Sequence, residues 1–216
     1  MPIALLALLF VALSGASAGA QPVPLRPAQP AEHAQDEKRA TSALRFLAGA
    51  LVGLGAHEAG HLVFDVAFDA DPSMKRVDFH GIPFFAITHR PDLSPRREFA
   101  VSSAGFWVQH AGNEWILTRR PDVRAESAPL LKGILAFNVA ASAAYAGAAF
   151  ARTGPYERDT RGIAEASGID ERWVGAMLLA PAALDAWRYF HPESKWAAWT
   201  SRGVKIGMVL LVVRGR

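Results

Sequence analysis

His57-Glu58-Ala59-Gly60-His61 spells H-E-x-x-H inside an apolar stretch of the chain. Residues four apart share a helix face, so both imidazoles can reach one ion. Glu58 projects beside them, where a carboxylate can take the proton of an attacking water. The chemistry this trio supports is metal-assisted hydrolysis, with His57 and His61 as metal ligands, Glu58 as the catalytic base and Zn2+ as the expected cofactor. The chain has no Cys, which excludes thiolate ligands and a disulfide framework and leaves His and carboxylates to bind any metal. Two His and one carboxylate also suit Fe(II) or Mn(II).

Catalytic zinc takes three protein ligands and keeps one position open. Asp65 continues the histidine face, but three positions four residues apart spread over about 12 Å of helix rise. It suits orienting His61 better than binding the ion. Glu114, in Gln109-His110-Ala111-Gly112-Asn113-Glu114, belongs to a later helix and competes with Asp159, in Tyr156-Glu157-Arg158-Asp159-Thr160-Arg161-Gly162. Glu157 is a further alternative. Each has an ordinary reading beside the metal one: Asp159 as the cap of a helix over 160–167 that ends at Gly168, Glu114 as a paired helical acid, His110 as a core histidine.

The elements that must position these groups are mainly helical. Apolar segments are expected at about 44–68, 99–118, 129–151 and 172–190, with a last one at about 203–213 that is either interfacial or a strand unless it begins near Trp196. Pro181 is expected to kink the fourth. From Gly133 to Ala151 no residue is charged, a length that meets the need of a bilayer crossing. Between the first two helices, Arg76–His80 and Phe84–Thr88 alternate around His80-Gly81-Ile82-Pro83, which predicts a short β-hairpin. The fold class expected is therefore a polytopic membrane bundle of about four or five helices, with a hairpin after its first helix. Ionisable groups in three of the segments would then face inward and be functional.

Three regions are expected in the 216 residues. Residues 1–20 read as a signal peptide with Ala18-Gly19-Ala20 before the cleavage point, or as a first membrane helix. The stretch 21–42, with Pro22, Pro24, Pro27 and Pro30 and then charges, reads as a linker, and 43–216 as the membrane-embedded domain. A net charge of +3 with scattered Arg and Lys gives no basis for nucleic-acid binding. The partners expected are membrane lipid and a membrane protein or peptide substrate, and the location a multi-pass one in the cell's inner membrane. Arginines in loops 69–98 and 152–172 place those loops in the cytoplasm. The first helix then carries its histidines in its inner half, where Asp159 also lies, while Glu114 lies near the outer end of the second. Topology favours Asp159.

Taken in order, these residues resemble the site-2 protease family of intramembrane zinc metalloproteases. His57-Glu58-Ala59-Gly60-His61 runs on into Leu62-Val63-Phe64. Ser94-Pro95-Arg96-Arg97 then leads into a helix holding Ala104-Gly105, similar to the family's basic loop and Ala-Gly-Pro helix. Asp159, followed by Gly162, stands in the role of the family's Asp-Gly ligand. The resemblance covers about residues 44–165. Phe106 departs from it in place of Pro, Gln109 stands near the expected Asn, no Asn-Pro-x-Pro precedes Asp159, and no PDZ domain fits. It implies a zinc-dependent intramembrane endopeptidase with zinc on His57, His61 and Asp159 and with Glu58 passing the water's proton to the leaving amine. A substrate strand would add to the 76–88 hairpin. The competing expectations are a secreted soluble zincin and a non-catalytic membrane protein whose metal serves structure or partner binding.

Overall fold

Pro30 opens a helix that does not end until Ala67, in the computed structural model that describes residues 30–79 and 82–214. The expected signal peptide, 1–20, lies outside the described residues, as does the first part of the expected linker. Residues 30–42 differ from the linker expectation, since they are the first turns of this helix, α1. The physical reason is composition: Ala, Glu, Gln, Lys and Arg are strong helix formers, and the proline stands at the helix start, where its missing N–H costs nothing. Beyond α1 come β1 (Ser73–Phe79), β2 (Ile82–Thr88), α2 (Pro95–Arg119), α3 (Pro129–Ala151), α4 (Asp159–Ser167), α5 (Glu171–Phe190) and α6 (Lys195–Arg214).

The chain is thus mainly helical with one short antiparallel hairpin following α1, as the alternation in the sequence implies. Phe79 pairs with Ile82 and Ser73 with Thr88, so β2 begins two residues earlier than expected and includes Pro83. The last helix is longer than expected and starts at Lys195. α5 runs on through Pro181.

α1 and α3 run parallel in close contact. A Cβ on Gly133 would lie 1.9 Å from the Phe46 carbonyl oxygen, and one on Gly49 would lie 2.0 Å from that of Leu130. Only glycine allows two helix backbones to approach so closely. α2 returns antiparallel to α1, with Arg97 over the Phe68 ring at one end and Gly60 against Ala104 further along. α5 runs antiparallel to α3, and α6 packs back along α5. One end of the bundle, here the site end, therefore carries the end of α1, the hairpin and α4; the far end carries the α2–α3 loop and the α5–α6 turn.

Two apolar clusters hold the interior. Phe106, Ile163, Val174 and Leu178 lie at the site end, and Ile116, Leu117, Val123 and Leu135 at the far end. Of the helices in the described residues, α1 from Gln35 and α3 are long and apolar enough to cross a membrane. On α1 apolar side chains face outward rather than into the core: Leu44, Leu51, Val63 and Val66 are each more than 60% exposed.

Candidate metal centre

The two histidines occupy successive turns of α1 and point into its junction with α2 and α4. Both are buried. His57 reaches this position because its ring lies flat on the α2 backbone at Gly105, where a Cβ would come within 2.5 Å of His57 Nδ1. Phe106 and Tyr145 flank the same ring, with centroids 5.2 and 6.0 Å away. His61 Nδ1 is 2.8 Å from the Val101 carbonyl oxygen. A carbonyl only accepts, so Nδ1 carries a proton and Nε2 is the atom turned to the site.

Asp159, the first residue of α4, completes the group. α4 lies tight on α2 because Gly162 faces Ser102; a Cβ there would be 2.2 Å from Ser102 Oγ. Its start is fixed by Glu171 of α5, which accepts from Arg158 Nε and Nη2 at 2.7 Å each and from Thr160 Oγ1 at 2.8 Å. Burial alone would raise the Asp159 carboxyl, but the facing imidazoles outweigh it and hold it below the usual carboxylate range.

The ligand atoms form a triangle. His57 Nε2 is 3.2 Å from His61 Nε2 and 3.2 Å from Asp159 Oδ2, and His61 Nε2 is 3.5 Å from the same oxygen. Tetrahedral zinc with ordinary Zn–N and Zn–O bonds separates its ligand atoms by about 3.3–3.5 Å. A single cation, whether a proton on His61 Nε2 or a metal ion at the centre, satisfies all three atoms. The donor set thus fits a divalent metal in chemistry and in spacing, and among the described residues it is the one His/Asp/Glu group close enough to bind one. Glu58, half-buried, is carried on the same turn as His57.

The other candidate ligands lie elsewhere. Glu114 is bound by Arg188, Arg202 Nε at 2.9 Å and Lys205 Nζ at 3.0 Å in the far half of the bundle. Glu157 pairs with Lys75 of β1 at 2.6 Å, tying the hairpin to the loop before Asp159. His110 is buried and away from the triangle. Asp65 does not orient His61, contrary to the sequence expectation, because Val101 already takes that N–H. Asp65 instead faces His89 at 3.4 Å, and His89 Nε2 lies 2.7 Å from Glu98 Oε2. Sequence reasoning also missed Val101 and Tyr145. A carbonyl leaves no sequence signal; Tyr145 is the lone aromatic hydroxyl of α3, inside the uncharged run 133–151.

No protein-family model matches this chain, and neither does a curated protein or a solved structure. The functional reading therefore rests on the residues and their geometry.

Proposed function

We propose that this chain is a membrane-embedded zinc endopeptidase of the site-2 protease type, acting on membrane-associated peptide substrates. The observation that carries the reading is the triangle of His57, His61 and Asp159 with ligand-to-ligand spacings of 3.2, 3.2 and 3.5 Å. Its ligands come from two helices far apart in sequence, α1 and α4, and H-E-x-x-H supplies a general base that a purely structural metal site does not need. Zinc held by these residues supplies Lewis acidity, acidifying water and polarising a carbonyl. Glu58 accepts the proton of the attacking water and returns it to the departing amine. The Val101 carbonyl fixes the His61 tautomer, and Gly105 fixes the plane of His57.

The membrane part of the proposal draws support from the outward apolar face of α1, from the length and hydropathy of α1 and α3, and from exposed tryptophans near the bundle ends. Trp115, Trp187, Trp196 and Trp199 are exposed toward the far end and Trp173 at the site end, the positions where indoles favour a bilayer interface.

The test is Glu58→Gln in protein reconstituted in lipid and offered a panel of membrane-anchored peptides. Loss of cleavage by at least about 100-fold with zinc content unchanged is expected. Cleavage that persists in the variant would overturn the mechanism. Zinc retained by a wild type that cleaves nothing across the panel would favour the non-catalytic reading.

A further inference from the structure

Asp159 has two carboxylate oxygens, and the triangle uses one of them. Oδ2 faces both imidazoles, at 3.2 and 3.5 Å. The start of α4 makes no claim on the carboxylate, because the cap position is Arg158 and it forms no side-chain cap bond. A carboxylate with an idle oxygen can bind a metal through both. It would then fill the coordination position that a hydrolytic centre keeps open. In such a centre the second oxygen must be engaged elsewhere.

α3 brings one side chain to this place. Its parallel contact with α1 sets Gly133 beside Ala50 and Phe137 beside Gly53. Two turns further on, Tyr145 therefore arrives alongside the stretch that carries His57 and His61. Its ring centroid lies 6.0 Å from that of His57 and 5.0 Å from that of Phe106. Phe106 is fully buried and packs edge-on against His57 as well, so three rings hold one another. The Tyr145 hydroxyl comes within hydrogen-bonding reach of the Asp159 carboxylate, with Glu58 close by. An ionised carboxylate only accepts, so the phenol is the donor.

We propose that Tyr145 is a positioning residue of the metal centre. Its hydroxyl holds the second oxygen of Asp159, so that the carboxylate binds through Oδ2 alone and one coordination position stays open. The inference rests on the metal centre of the functional reading above, and not on peptidase activity. The alternative is a ring that merely packs against His57 and Phe106. Packing affects how firmly His57 is held, whereas the hydroxyl decides how many Asp159 oxygens reach the ion.

Co(II) is the probe that separates these, because its visible absorption is stronger in four-coordinate than in five-coordinate sites. Full-length protein is stripped of metal, loaded with Co(II) and compared with Tyr145→Phe, which keeps the ring and its contacts. The variant is expected to absorb at least about two-fold less per bound cobalt, as the freed oxygen joins the ion. Its zinc affinity, measured by competition with a chelator, is expected to fall about ten-fold. Phe106→Leu loosens the packing and keeps the hydroxyl, and is expected to weaken zinc binding with absorption per cobalt unchanged. Absorption unchanged in Tyr145→Phe, or reduced equally in Phe106→Leu, would overturn the assignment in favour of packing. A wild type that takes up no cobalt would overturn it together with the metal centre. The readout needs no cleavage, so this proposal and the Glu58→Gln test can each fail alone.

Discussion

Alanine at position 105 would put a methyl carbon 2.5 Å from His57 Nδ1, and the contact is with a ring that is itself buried. His57 would have to swing out of the triangle. Gly105→Ala is therefore expected to weaken zinc binding by at least about ten-fold with helix content unchanged, measured by elemental analysis and competition with a chelator. Asp159→Ala removes the carboxylate that faces both imidazoles at 3.2 and 3.5 Å, and is expected to abolish stoichiometric zinc. Zinc retained at one per chain in Asp159→Ala would end the ligand assignment; the other acids weighed for the role are engaged elsewhere, Glu114 and Glu157 by cations and Asp65 by His89. At this scale the histidine pair was readable from spacing alone, since it needs only a helix. Asp159 was readable once topology was added. The Val101 carbonyl and the glycine bed beneath His57 were not, because both are backbone contacts made between helices.

The elements around the site are joined by groups that titrate. His89, just past β2, bridges the hairpin to α1 and α2 through Asp65 and Glu98. Its hydrogen bond with Glu98 raises its pKa against the opposing effect of burial. Burial pushes Glu98 up, but the His89 contact prevails and lowers it. The His89 contribution is thus complete below the ordinary histidine value of about 6.5 and is lost as pH rises through the raised folded value. The Glu98 contribution is present above its ordinary value and is lost as pH falls through the lowered one. Both groups are partly exposed, so the pair contributes about 1 kcal/mol. The Arg90 amide, which donates to the Ala70 carbonyl at 2.9 Å, reports the anchoring. Its exchange protection, corrected for the intrinsic rate, is expected to fall above pH 6.5 and to lose that dependence in His89→Gln. Protection that is flat with pH in both proteins would remove His89 from the anchoring role. Element boundaries were legible unevenly for similar reasons. α3 shows as the uncharged run from Gly133 to Ala151. α6 does not, because Arg202 and Lys205 break its apolar pattern, and only the fold reveals that they turn toward Glu114 and Asp185.

Over the whole molecule, the parallel contact of α1 with α3 and the antiparallel return of α2 and α5 fix where the loops emerge. The 120–128 loop lies at the far end, and the 168–170 connection lies at the site end with Asp159. If α1 and α3 cross a bilayer, these two loops would lie on opposite faces of it, and the arginine distribution would put the site end in the cytoplasm. Ser127 and Ile169 are exposed in these connections, and the Cys-free background makes single thiols at both positions unambiguous. A membrane-impermeant maleimide applied to intact cells is expected to label Ser127→Cys, provided an outer envelope is first made permeable, and to label Ile169→Cys only after the inner membrane is opened. The sequence could not separate this arrangement from a soluble one, since inward-facing charges and solvated charges read alike in one dimension. What a bilayer would account for is the exposed apolar face of α1, which runs past Leu44, Leu51, Val63 and Val66 with no core among the described residues to cover it. A surface of that length is unstable in water and ordinary in lipid. Labelling of both thiols in intact cells would therefore overturn the membrane arrangement, and the exposed face of α1 would then have to be covered by another protein surface.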